Sequence, residues 1–187
     1  MITLIALPIS MIHTAYFIRI GPFFQMVAET IVAKQNAVKW IMPMLTIGQF
    51  SEIIFLGMLG YMLQRLGYKK VLLVGAASYV VRYLAFSLGA PAWLMILAQA
   101  MHGLCYACFI ACAFMYVESI APHDVRHSAQ TVFGIIILGL GPICASFYNQ
   151  YISAKSRNFW LTQAAVALVA TIGLLLLFPR KAVEDAT

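Results

Sequence analysis

The chain has 187 residues and a formal net charge of +6; 63% of its residues are apolar, 10% are charged, and the mean hydropathy is +0.91. A soluble domain carries about 25% charge, so the composition argues against a soluble enzyme and for a bilayer as solvent. The twelve Lys and Arg stand singly or in pairs between apolar runs, which sets nucleic acid aside as a partner, because that would need a massed basic face.

A bilayer-crossing helix needs about 20 mostly apolar residues. Six runs qualify: 2–29, 38–64, 71–89, 92–120, 127–152 and 158–179. The expected fold class is therefore an all-α integral membrane protein with six transmembrane helices, a bundle over 1–180 and a short cytoplasmic tail, 181–187. The opening MITLIALPISMIH has neither the basic n-region nor the small-residue cleavage site of a secretory signal. Starting directly in hydrocarbon, it suggests that further chain precedes it. In the first run Gly21-Pro22 predicts a broken or kinked helix. His13, Tyr16 and Phe17 give the same run a partly polar aromatic face.

Ionisable groups within a span cost about 2.5–3.5 kcal/mol each on insertion scales, which makes them functional candidates. Glu52, in IGQFSEIIF on the second run, has apolar neighbours on both sides and shares a helical face with Gln49 one turn earlier. It is a candidate proton carrier, or else a structural hydrogen-bonding group between helices. The run ends in GYMLQRLGYKK, Gly60 to Lys70. Gly60 would let a neighbouring helix approach closely, and Gly67 can take the left-handed conformation that ends a helix. Arg65, Lys69 and Lys70 would hold the turn at the headgroup level. This stretch resembles the loop signature of the major facilitator superfamily, G-x-x-x-D-R-x-G-x-K-K, which lies on the cytoplasmic side between the second and third helices of each six-helix half. Gln64 stands where the superfamily usually has Asp, leaving a hydrogen bond at most in place of that residue's gating ion pair.

Arg82, in SYVVRYLAF near the middle of the third run, needs a carboxylate, carbonyl or water partner, and Glu52 is the obvious candidate. Arg19 of the first run can snorkel to the outer interface. On the fourth run His102 and Tyr106 stand i, i+4, where they can bond a polar ring substrate or sit as satisfied core residues. Cys105, Cys108 and Cys112 follow on the same run; a thiolate in hydrocarbon is costly and no flanking charge would stabilise it, so they read as small packing residues rather than a redox or zinc pair. PHDVRH reads as a polar turn, and the fifth run carries Gly134, Gly139, Gly141 and Pro142 for close packing and bending. No catalytic constellation, phosphate-binding loop, metal set or cofactor motif emerges. An even number of spans puts both termini on one side. Arg65, Lys69, Lys70, Arg126, Arg180 and Lys181 on that side against Lys34, Lys39, Lys155 and Arg157 on the other favour cytoplasmic termini.

Taken together, GQFSEIIF, RLGYKKVLL, VVRYLAFSLG, HGLCY, YVESIAP and VRHSAQTVFG resemble the nucleoside:proton symporter family of the major facilitator superfamily over nearly the whole chain. The match is to the carboxy-terminal six-helix half of a twelve-helix carrier. The resemblance implies proton-coupled nucleoside uptake by alternating access across a bacterial inner membrane. It makes Gln49 and Glu52 a substrate-binding or coupling pair, His102 and Tyr106 cavity-lining positions, and assigns Arg82 no role. The implied partners are a nucleoside or similar small solute, protons, the lipid bilayer and an amino-terminal six-helix half absent from this chain. Two departures stand out: Ala107 replaces an Asp common after H-G-x-x-Y, and the first run has Ile18, Ile20 and Gly21 where relatives often present Asn and Thr. The alternatives are a major facilitator carrier of another solute (sugar, drug or metabolite) and a truncated, non-transporting membrane half.

Overall fold

The computed structural model describes residues 1–151 and 157–178. The expected tail 181–187, and Lys155, Arg180 and Lys181 of the charge comparison, lie outside the described residues. Among the described residues there is no strand, and five continuous helices are long and apolar enough to cross a membrane. The longest, Lys34–Ser87, has 54 residues. At 1.5 Å per residue it would run about 80 Å, far beyond a hydrocarbon core of about 30 Å. It is two crossings, divided where Gly67 adopts φ 74° and ψ 164°.

The six helices are α1 (Ile2–Ala28), α2 (34–66), α3 (68–87), α4 (Ala92–Ile120), α5 (His123–Tyr151) and α6 (Arg157–Leu177). Their bounds follow the apolar runs within a few residues, because a helix that satisfies its own backbone is the form an isolated apolar crossing can take in lipid. Of the expected break or kink, α1 shows no break: it stays helical through both Pro8 and Pro22. A missing N–H in hydrocarbon bends or loosens a helix without ending it when neighbouring helices support the chain.

Gly67 supplies the α2–α3 turn. Positive φ with extended ψ is open essentially to glycine alone. The turn is then tied to the rest of the bundle: the Tyr68 ring packs at a tilt against Tyr116 of α4 with centroids 5.5 Å apart, and Lys69 Nζ donates to the Leu175 carbonyl of α6 at 3.4 Å. Arg65 lies over the Tyr61 ring at 5.4 Å. Gly60 departs from expectation, since a Cβ there would meet nothing within 4 Å. It lies on the exposed side of α2, and the close helix approaches occur elsewhere.

Those approaches converge on α4. A Cβ at Gly103 would collide with the backbone of Ser51 and Glu52 on α2, and one at Gly75 would collide with the backbone of Cys108 and Phe109. Without a solvent-driven hydrophobic force, helices in lipid are held by such contact and by hydrogen bonds across it. One bond marks the spot: Gly103 N–H donates to Ser51 Oγ at 3.0 Å, and Ser51 Oγ donates to the Gly48 carbonyl at 2.7 Å. α4 is π-helical over Tyr106–Ala111, directly after this contact, and α5 over Ile135–Leu140, just before Pro142. π turns re-aim side chains by one register step and recur at functional sites. In α5 the Ile137 carbonyl accepts from Ser10 Oγ of α1, and Gly141 makes room for that serine. Cys105, Cys108 and Cys112 are buried and unpaired. An aromatic cluster closes one end, with Trp160 of α6 packed on Phe23 of α1 at 4.8 Å and on Phe86 of α3 at 5.1 Å.

Gly103→Ala is expected to cost about 1–3 kcal/mol, because backbone rather than a flexible side chain must yield. Gly67→Ala should cost a similar amount, about 1–3 kcal/mol, through strain at its φ/ψ. Gly60→Ala should stay within about 0.5 kcal/mol. Denaturant unfolding of the three variants in detergent checks the order; equal costs for Gly103→Ala and Gly60→Ala would contradict the α2–α4 contact.

Candidate functional site

The polar groups singled out from the sequence gather around His102. α4 brings its imidazole between α1, α2 and α3; Gly48 leaves space for Gln99 and the His102 Cβ, and Gly103 lets the α2 backbone come into contact. His102 is 3% exposed and Glu52 is 26% exposed, with Nε2 and Oε2 at 3.5 Å. On its other side, Arg82 Nη1 donates to His102 Nδ1 at 3.0 Å. The expected direct Arg82–Glu52 contact is thus replaced by an ordered chain, carboxylate to imidazole to guanidinium. Side-chain reach explains the difference: His102 projects from the α4 position that nearly touches α2 and occupies the space between them.

Arg82 has no exposed surface. Its charge is met by oxygen and π density: Nη2 donates to Gln99 Oε1 at 2.7 Å, and Cζ lies 4.0 Å from the centroid of Tyr16. A desolvated cation–π contact of this kind is worth about 2 kcal/mol. Gln99 Nε2 in turn donates to the Tyr16 hydroxyl at 2.8 Å. Arg82 Nε has no hydrogen-bond partner. Tyr79, one turn before Arg82, places its hydroxyl 2.7 Å from His13 Nδ1, and the His13 ring stacks on His102 with centroids 5.4 Å apart and planes 9° apart. Tyr106 borders this stack, 5.8 Å from His13.

The remaining candidates divide between this cluster and the surface. Gln49 is exposed one turn from Glu52. Phe17 is exposed and packs edge-on against His13 and His102. Ala107 is buried. Arg19 does not snorkel: Nε donates to Asn149 Oδ1 at 2.8 Å and Nη2 to the Asn149 carbonyl, pinning α1 to α5. Glu118 accepts from Gln130 Nε2 at 3.0 Å, joining the YVESIAP and VRHSAQTVFG segments. His123, Asp124 and His127 are exposed around a short 3-10 turn, and among the described residues no group of three or more His, Cys, Asp or Glu is placed to hold a metal ion.

Gln99 escaped the sequence reading, although it is a lone amide in MILAQAMH, one turn before His102. Its i, i+3 spacing to the histidine was the available signal. Tyr79 was also visible, one turn from Arg82 on the same face.

The description Nucleoside H+ symporter matches residues 1–183 as a family model. The chain belongs to the nucleoside H+ symporter family. Among relatives, the candidate nucleoside transporter YegT of Escherichia coli (strain K12) is 34% identical over 119 residues, 61% of this chain and 27% of that protein. The nucleoside permease NupG of the same organism is 24% identical over 155 residues, 76% of this chain and 37% of that protein. The crystal structure of a NupG mutant superposes with a TM-score of 0.81 at 18% identity, covering 95% of this chain and 47% of the other. The inward-open xylose transporter XylE from E. coli gives 0.75 at 15% identity, covering 98% and 49%. At these identities the superpositions speak for the fold alone, a bundle of six membrane-length helices. This family member is a multi-pass membrane protein from a group of transporters, not enzymes, and it spans less than half the length of the relatives it matches.

Gln99→Leu is expected to cost the family member about 1.5–3 kcal/mol, since it strips a buried guanidinium of an acceptor. Gln49→Leu, on an exposed position, should stay within about 0.5 kcal/mol. Thermal unfolding of both variants in detergent measures the difference.

Proposed function

We propose that this chain is the carboxy-terminal six-helix half of a proton-coupled nucleoside carrier that works by alternating access in a bacterial inner membrane, with both termini cytoplasmic. The observation that carries the reading is the partly exposed Glu52, backed at 3.5 Å by a buried imidazole and beyond it by a buried cation, with Gln49 exposed one turn away. A carboxylate exposed on one side and polarised from behind can take and release a proton while its neighbours stay fixed. Gln49, Glu52, His102 and Tyr106 would contact a polar ring solute from this half, and Arg82 would support them from within. Family membership supports proton coupling and a nucleoside substrate, and relatives named as a nucleoside permease and a xanthosine permease support the substrate class.

Transport by this fold uses two bundles that rock about a midplane site. An amino-terminal half, in the same or another chain, would supply the opposite wall. The α2–α3 turn, with Gly60 on an exposed surface and Arg65, Gly67, Lys69 and Lys70 around it, would meet that half on the cytoplasmic side and gate the cavity. A second reading keeps the fold and changes the solute to a sugar, drug or metabolite. It is favoured by Ala107, buried and apolar where the family commonly has a carboxylate.

Glu52→Gln in the intact carrier should abolish accumulation of labelled uridine driven by a proton gradient; undiminished accumulation would remove Glu52 from coupling. Competition by sugars that matches competition by nucleosides would favour the second reading. An antibody against the tail RKAVEDAT should detect, in native membranes, a polypeptide about twice the 20.7 kDa of this chain, whereas a band at that mass would mean that the half exists alone, either pairing with a separate polypeptide or not transporting.

A further inference from the structure

We infer that Arg82 is a positioning residue that locks His102 in one tautomer, with its proton on Nε2, so that the imidazole presents a fixed N–H donor to Glu52 and leaves the carboxylate as the proton acceptor of the cluster. For transport this consequence rests on the role proposed for Glu52. The tautomer itself does not.

The argument starts from donor inventories. A guanidinium has donors only, so the 3.0 Å contact between Arg82 Nη1 and His102 Nδ1 requires Nδ1 to accept. A neutral imidazole that accepts at one nitrogen carries its proton on the other. Nε2 is therefore the N–H, and it lies 3.5 Å from Glu52 Oε2. That spacing is long for a finished hydrogen bond, as catalytic and binding contacts often are before the ligand is present. A second proton on His102 could enter only at Nδ1, which would set an N–H donor against the Arg82 donor.

Arg82 cannot easily turn aside. Its other nitrogen, Nη2, is held by Gln99 Oε1 at 2.7 Å, and its plane is held by the Tyr16 ring at 4.0 Å. The donor-only guanidinium also fixes the amide: Oε1 faces Arg82, so Nε2 faces the Tyr16 hydroxyl at 2.8 Å. Tyr16, Gln99, Arg82 and His102 thus form a directional chain from α1 through α4 and α3 back to α4. Arg82 sets the orientation of both Gln99 and His102, while the Tyr16 hydroxyl lies against both amide atoms, donating to Oε1 at 3.1 Å and accepting from Nε2 at 2.8 Å.

The other groups around His102 agree with a neutral ring. From α1, His13 stacks on it at 5.4 Å and Tyr16 lies at 5.4 Å; His13 is itself paired with Tyr79 of α3. From α2 the facing group is Glu52, and from α4 itself Tyr106 and Cys105 lie within one turn. Among these Glu52 is the sole carboxylate. A proton arriving from the open face meets Glu52 first and finds no free lone pair on His102 behind it.

The test is nuclear magnetic resonance of the intact carrier labelled with 15N-histidine in lipid, with the His102 signal assigned by its loss in His102→Gln. The expected result is a neutral ring protonated at Nε2 from about pH 5 to pH 8, the range in which an unrestrained histidine would change charge. A proton on Nδ1, or an imidazolium within that range, overturns the inference. Arg82→Lys replaces a two-pronged donor with a single point donor that cannot hold both His102 and Gln99. In folded Arg82→Lys protein the His102 signal should divide between tautomers or titrate, and uptake should gain a second pH step; an unchanged Nε2-protonated signal would overturn the role of Arg82. If that variant does not fold, the wild-type spectrum still decides the tautomer. His102→Gln should lower uptake yet keep the wild-type pH profile, and loss of the pH dependence would instead make His102 the proton carrier. Retained accumulation in Glu52→Gln would sink the coupling reading while leaving the tautomer assignment to the spectrum.

Discussion

A permanent positive charge without surface, Arg82, is the constraint around which this bundle is arranged. Carrying a guanidinium into hydrocarbon is tolerable only where most of its donors and its flat face meet compensating density. α1 supplies the Tyr16 ring, and α4 supplies Gln99 and His102. α1, α3 and α4 are therefore bound to one another at a single buried point. The partners are neutral, so the charge is not cancelled there. Its field extends through His102 toward Glu52, the one carboxylate of the cluster, which stands at the boundary between the packed interior and the exposed face.

The small residues serve this arrangement. Gly103 on α4 lets the backbone of α2 come into contact, which brings Glu52 within reach of His102. Gly75 does the same for α3 against the π-helical part of α4. A larger residue at either position would separate the carriers of the polar groups by more than a hydrogen bond can span. Packing and electrostatics are thus the same problem in this protein, because in lipid the close contact of helices is what gives a polar side chain its partner. The apolar cluster of Phe23, Phe86 and Trp160 and the Arg19–Asn149 pair hold α1 elsewhere along its length and leave the centre to the polar chain.

Much of this was legible in the residues. Glu52, His102 and Arg82 stood out because each violates an apolar run, and all three meet. Gly67 stood out as a helix end and takes the positive φ that only glycine adopts without strain. What misled were signals whose meaning depends on the neighbour. Gly60 looked like a packing glycine but faces open space, while Gly103, hidden in HGLCY, makes the tightest contact with the backbone of another helix. Gln49 looked like the partner of Glu52 along its own helix, yet Gln99, on a different helix, is the amide that holds the buried cation.

By itself the sequence determined the crossings, the turn at Gly67, the likeness to one family of carriers and the roster of groups too polar for lipid. Hydrophobic length and local backbone limits are properties of contiguous residues, so they can be read along the chain. The tertiary structure alone decided the order of contacts, with His102 rather than Arg82 beside Glu52, and with Gln99 and Tyr16 behind them. Those pairings link positions from 17 to 83 residues apart. They follow from which helix faces approach closely enough for donors and acceptors to meet, and no periodicity within a single helix encodes that.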